Sequence, residues 1–251
     1  MKAKVSLISW TKNPIELMCW ARRVMHHPVP SSLDKIISNP KKWLGMEIDD
    51  YVQQILLKDG MPTFLEYVSF VFKLENVSRA LTHQLVRHRI GFSFSQQSMR
   101  CVNLPEFATN HNYTEPEQGN KKLYHKTMLE IQKLYNNALK NGIPTQDARG
   151  LLPMNIHTTI TFCCSFRALK EMINKRLCLK TQKEFRDVAA QIVNLIKKID
   201  KRLLLWIGMP CKFGYCIMKG ENEEQYRKNQ LEGVQNTDKV CPIYLKKFIS
   251  K

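Results

Sequence analysis

Apolar and polar residues alternate weakly along "KVSLISW" at the start of the chain, which predicts an opening strand. In "TKNPIELMCWARRVM" that follows, Asn13 is placed as an N-cap, Pro14 at the first helical position and Glu16 one turn in, so the strand leads into a capped helix. "HHPVPSSLDKIISNPKKWLG" is rich in Pro and Ser and predicts a loop with a short helix. A helix over "IDDYVQQILLKDG" stops at Gly60. "LEYVSFVFKLE" alternates cleanly, with Val68, Phe70, Phe72 and Leu74 on one face of a half-buried strand. From Val77 the spacing turns helical: Val77, Ala80, Leu81, Leu85 and His88 share a face, with Gln84, Arg87 and His88 on an adjoining strip.

The stretch "HQLVRHRIGFSFSQQSMR" is then expected to end that helix and run on as a loop. "PEFATNHNYTEPEQGN" is polar and turn-rich, and "KKLYHKTMLEIQKLYNNALKNG" predicts a long helix ended by Gly142. After "IPTQDARGLLPMNIHTT" come an apolar run, "TITFCCSF", and helical patterns over 167–178 and 182–207. No repeat is visible.

Composition narrows the class. The 251 residues are 43% hydrophobic, enough for a full core. No apolar run reaches the length of a bilayer, and the amino terminus lacks a long apolar signal core, so the expectation is a cytoplasmic protein without membrane attachment. Eight cysteines in a chain of this size are expected as reduced thiols, with Cys163, Cys164 and Cys178 in the core. The formal charge of +17 points to anionic partners.

The stretch from His83 to Arg100 concentrates that charge. Arginine presents a planar fork that grips phosphate and carbonyl oxygens in pairs, and Gln and Ser add neutral donors and acceptors that discriminate one ring from another. A nucleotide suits this inventory. A solvated helix end explains any one of these residues, but not the whole cluster with its phenylalanines. Neither a Walker A sequence nor G-x-G-x-x-G is present, so side chains must hold the anion.

"SRALTHQLVRHRIGFSFSQQSMR" resembles the signature of flavin-dependent thymidylate synthases, an Arg-His-Arg triplet followed after a gap by serine and arginine. "GIPTQDARGLLP" and "SFRALKEMINKRLCLKTQKEFRDVA" resemble further elements of that family, and with "SLISWTKNPIELMCWARRV" and "MPTFLEYVSFVF" the likeness spans most of residues 1–210. The resemblance implies an α+β fold, an antiparallel sheet with long packed helices, over residues 1–210. Residues 211–251 form a Cys-containing basic tail. The resemblance further implies a homotetramer, bound FAD, and reductive methylation of dUMP to dTMP with methylenetetrahydrofolate and NADPH as co-substrates.

By position, the resemblance makes Arg176 the catalytic residue, stabilising negative charge on the pyrimidine. Gln84, Arg87, Gln97, Ser98, Arg100, Arg149 and Arg176 are implied to bind the substrate, with the phosphate near Ser98 and Arg100. Thr63, Arg87, His88, Arg89, Gln96, Ser165, Arg167 and Glu171 are implied to bind FAD, and no metal is implied. Glu184 and Arg186 read as structural.

The pattern departs from the family at several points. The loop between Arg89 and Ser98 is one residue longer, so a bulge or shift is expected there. Met61 and Tyr67 replace histidines, Ser165 an asparagine and Cys101 an aromatic residue, and Glu171 stands where Asn or His is usual. Activity on dUMP or dCMP, with methyl or hydroxymethyl transfer, is the neighbouring enzymatic reading. A non-catalytic nucleotide- or nucleic-acid-binding paralogue is the reading from another class, which the order of motifs disfavours. Cys211, Cys216 and Cys241 have the residue type of zinc ligands but irregular spacing, and read as reduced structural thiols.

Overall fold

The computed structural model describes residues 2–209. They fall into two compact units, one running to Ala168 and one from Leu169. The expected tail, with Cys211, Cys216 and Cys241, lies outside the described residues.

In the first unit, β1 (Lys4–Trp10) leads to α1 (Pro14–Val24). Asn13 precedes α1 but caps it differently than expected: it sits in the left-handed region at φ 49°, and its side chain makes no capping bond. Its carbonyl accepts the Leu17 N–H at 3.0 Å. Short helices α2 (Leu33–Ser38), α3 (Pro40–Leu44) and α4 (Ile48–Gln54) follow. The helix expected to reach Gly60 ends at Gln54 and passes into a 3-10 turn at Leu56–Lys58. A second 3-10 turn, Thr63–Glu66, opens onto β2 (Ser69–Ser78).

β2 runs past Val77, where a helix was expected to begin. A bulge between Leu74 and Val77, with Asn76 at φ 56°, lets Val77 pair with Thr158 and stay buried. Strand pairing therefore supplies the burial that the helical spacing suggested. Helix α5 is confined to Arg79–Leu85, and the Ser78 hydroxyl accepts the Leu81 N–H at 3.0 Å as its cap. Arg87 and His88 lie beyond it.

The expected loop after α5 contains β3 (Phe92–Gln96). Phe92 and Phe94 stack with centroids 5.6 Å apart and both pack against Phe162, so the period-2 phenylalanines are strand residues. Pairing with β4 is residue for residue from Phe92 to Gln96, and the expected bulge is absent from the strand. The turn falls at Ile90 and Gly91, where Gly91 has φ 73°.

Helix α6 (Lys121–Lys140) ends before Gly142 as expected and buries Met128, Tyr135 and Ala138. α7 (Thr145–Ala148), a 3-10 turn at Arg149–Leu151 and β4 (His157–Ser165) complete this unit with the first residues of α8 (Phe166–Arg176). The four strands are ordered β1-β2-β4-β3, all antiparallel. Phe70, Phe72 and Leu74 of β2 and Ile160, Phe162 and Cys164 of β4 form the buried face. Cys163, expected in the core, is exposed because it alternates with Cys164 along the strand.

In the second unit α8 continues and α9 (Lys183–Ile199) follows, burying Phe185, Val188, Ala189, Ile192 and Ile196. The pattern expected to stay helical to residue 207 breaks at Asp200, which is extended and whose side chain accepts the Arg202 N–H to start a 3-10 turn, Lys201–Leu205. Among the described residues no helix is long and apolar enough to cross a membrane.

Candidate active site

The signature segment leaves α5 and returns along β3 into a turn at Ser98–Cys101. There the Ser98 carbonyl accepts the N–H groups of Cys101 and Val102, both at 3.2 Å, and its hydroxyl accepts the Arg100 N–H at 3.3 Å. Arg100 donates from Nη2 to Gln146 Oε1 at 3.3 Å. Arg149 donates from Nε to the Gln146 carbonyl at 3.0 Å. The Asp-Ala-Arg segment and the Ser-x-Arg turn thus meet through Gln146, far apart in sequence.

Two cavities adjoin there. One, of about 510 Å³, is lined by Arg79, His83 and Met99, by Gln146, Asp147 and Arg149, and by the 150–156 segment. The other, of about 420 Å³, is lined by Ser98, Arg100, Cys101, Pro144, Thr145 and Gln146. Arg79 was not anticipated. Burial first, and then the charge of Arg149, makes its guanidinium less basic than usual. Among the described residues Arg79, Arg100 and Arg149 pair with no carboxylate. Asp147 lines the larger cavity without pairing with either guanidinium. Cations that lack carboxylate partners beside a concave surface have the chemistry to take up an anion. A signal existed in the sequence: a cation at the first position of a helix opposes the macrodipole and needs another cause.

The other candidates are distributed around this point. Gln97 receives Arg79 Nη1 on its carbonyl at 3.5 Å and donates its N–H to Thr159 at 2.9 Å. Gln96 donates to the Thr82 hydroxyl at 3.0 Å. Gln84 is half-buried on α5 and Arg87 exposed beyond it, and neither lines the cavities.

Three segments of cofactor candidates converge separately. Arg167 Nη1 meets Glu66 Oε1 at 2.7 Å, joining the start of α8 to the turn that carries Thr63. The Ser165 N–H donates to the Gly91 carbonyl at 3.2 Å, joining β4 to the end of the Arg-His-Arg segment. A Cβ on Gly91 would lie 2.8 Å from Ala168 Cβ and 3.1 Å from Ser165 Oγ. The Ser165 hydroxyl is itself committed to the Ala168 N–H at 3.3 Å. His88 packs against Phe92, with centroids 6.0 Å apart. Glu66 was missed by sequence reasoning because its role depends on a partner about a hundred residues away.

Glu171 and Arg176 lie in the second unit. Glu171 is exposed. The Arg176 guanidinium sits 4.6 Å from the centroid of Phe185, and burial lowers its basicity. Arg186 donates to the carbonyls of Leu179 at 2.8 Å and Thr181 at 3.0 Å, tying down the connection between α8 and α9, in keeping with its structural reading. No cluster of metal-ligating side chains occurs among the described residues.

Comparison with known proteins decides the class of this arrangement. Residues 6–200 match the family described as "Thymidylate synthase complementing protein". The chain belongs to the flavin-dependent thymidylate synthase family. It is 35% identical over 225 residues to the flavin-dependent thymidylate synthase of Pyrococcus abyssi, covering 85% of this chain and 88% of that protein. It is 32% identical over 238 residues to that of Clostridium tetani, covering 86% and 91%. Among solved structures it is similar to thymidylate synthase X from Helicobacter pylori, determined with FAD and dUMP, with a TM-score of 0.58 and 18% identity, covering 80% of this chain and 96% of that one. The antiparallel sheet with packed helices is thus the fold of a flavin-dependent thymidylate synthase, an enzyme that transfers a methyl group.

Proposed function

We propose that this enzyme reductively methylates C5 of dUMP to give dTMP, with FAD as cofactor, methylenetetrahydrofolate as one-carbon donor and NADPH as reductant. The observation that carries the reading is the set of three guanidiniums, Arg79, Arg100 and Arg149, that have no carboxylate partner among the described residues around adjoining cavities in a chain of this family. A phosphate monoester dianion satisfies that set, and Ser98 and Gln146 supply neutral hydrogen bonds beside it.

The residues also fit a flavin dinucleotide. Arg87 and Arg89 are exposed and pair with no carboxylate among the described residues, as a diphosphate requires, and Thr63 offers an exposed hydroxyl on an adjoining segment. When bound, FAD supplies the hydride that completes the methyl group. Thr63, Arg89, Ser165 and Arg167 hold and orient it, with Glu66 fixing the Arg167 fork. His88, Gln96 and Glu171 take supporting contacts, and Gln84, Arg87 and Gln97 contact the nucleotide.

Arg176 acts on the pyrimidine ring. Charge displaced onto N3 and the carbonyl oxygens raises nucleophilicity at C5, and a guanidinium packed over the Phe185 ring stabilises that charge without a covalent enzyme adduct. A homotetramer, in which exposed Arg87, Arg89 and Ile90 meet neighbouring subunits, belongs to the same reading.

Purified protein is expected to show flavin absorbance and, with NADPH and methylenetetrahydrofolate, to convert dUMP to dTMP. A parallel test with dCMP decides between the two pyrimidine substrates. A product from dCMP alone replaces the dUMP reading. Absence of both flavin binding and turnover rejects the enzyme reading.

A further inference from the structure

The segment before Thr63 is held in an unusual way. Met61 is 66% exposed, so burial does not fix it. One carboxylate does: Asp59 Oδ1 accepts the Met61 N–H at 2.8 Å, while its Oδ2 is ion-paired with Nε of Arg22. The two side chains are 19% (Arg22) and 8% (Asp59) exposed. Arg22 is carried on α1, where Ile15, Met18 and Cys19 have no exposure at all, so the pair ties the turn to a rigid element.

From there the constraint passes along the backbone. The Met61 carbonyl accepts the Thr63 N–H at 2.7 Å, and the Pro62 carbonyl accepts that of Leu65 at 3.2 Å. Phe64 and Leu65, both buried, anchor the far end of the turn. Thr63 is therefore set from two sides, by apolar burial downstream and by a charged clamp upstream. An ion pair buried to this degree contributes little net stability against its desolvation, and fixing a geometry is the use this connectivity supports.

We infer that Asp59, held by Arg22, is a positioning residue for the flavin site, ordering the Met61–Thr63 turn so that the Thr63 hydroxyl is presented to the dinucleotide. This rests on Thr63 being a cofactor contact, as proposed above. In this role the pair acts through the turn and not by contact with the cofactor. Their effect is on the conformational freedom that Thr63 would otherwise lose on binding.

The test is titration of the flavin-depleted full-length chain with FAD, read by flavin fluorescence, for the parent, Asp59→Ala, Arg22→Ala, Arg22→Lys, Thr63→Ala and the Asp59→Ala/Thr63→Ala double variant. Asp59→Ala is expected to weaken FAD binding about tenfold, with Arg22→Ala following in the same direction and Arg22→Lys recovering part of the loss. In the Thr63→Ala background Asp59→Ala should add less than about threefold, because its route to the cofactor is already cut. Full multiplication of the two losses overturns the inference. So does a fall in the urea midpoint of Asp59→Ala with unchanged FAD affinity, which marks a purely structural pair. If Thr63→Ala itself leaves FAD affinity unchanged, the cofactor reading of Thr63 fails, and this inference with it.

Discussion

Replacing Gly91 by alanine tests the join between the Arg-His-Arg segment and α8. Gly91 has φ 73°, a conformation that costs an L-residue about 1–2 kcal/mol. The new Cβ would stand 2.8 Å from Ala168 Cβ and 3.1 Å from Ser165 Oγ, and neither neighbour yields easily: one belongs to a helix, the other caps it. Overpacking of this kind costs about 1–3 kcal/mol. The two effects together predict a loss of about 2–5 kcal/mol, measurable by urea denaturation followed by circular dichroism at fixed protein concentration. Flavin affinity should fall in the same variant, because relief of the clash shifts the end of the Arg-His-Arg segment against β4 and the start of α8. Ala168→Gly in the Gly91→Ala background should restore part of the packing loss, measured against Ala168→Gly alone, and none of the φ cost. A change below about 0.5 kcal/mol, the usual range of an inert surface site, would refute the close approach.

Arg100→Ala and Arg79→Ala should each weaken dUMP binding by about 1.5–3 kcal/mol with little effect on deoxyuridine, and equal losses for nucleotide and nucleoside would remove both residues from the phosphate site. Arg176→Lys keeps the charge but loses the planar fork over Phe185, so rapid mixing should show methylene transfer slowed far more than flavin reduction by NADPH. Parallel loss of both half-reactions would make Arg176 structural. Burial holds the His157 imidazole down at about 4 against an ordinary value of 6.5, so the folded protein keeps it neutral while the unfolded chain takes up a proton. That contribution is complete above pH 6.5 and is lost as the pH falls toward 4, by up to about 3 kcal/mol. His157→Gln should flatten this part of the stability profile in urea titrations between pH 7.5 and 4, and an unchanged slope would place the acid sensitivity elsewhere.

Local chemistry by itself determined those parts of the molecule where one segment's pattern meets its own burial. Val68, Phe70, Phe72 and Leu74 are buried as their alternation requires, and α6 stops before Gly142 because the left-handed conformation there favours glycine. The Arg-His-Arg and Ser-x-Arg spacing likewise indicated the family, since a chain without a glycine-rich phosphate loop must supply anion contacts from side chains. Tertiary structure decided what depends on a partner distant in the chain. Val77 reads as helical until Thr158 offers it a strand to pair with, and the phenylalanines of β3 read as loop until Phe162 lies beside them. Arg79 comes to line one cavity with Arg149 only through the fold, and Glu66 and Asp59 gain their partners only once Arg167 and Arg22 reach them. Period and composition act over a few residues, whereas cavities, ion pairs and bulges are set by which distant segments share one interior, and that contact carries no local mark in the sequence.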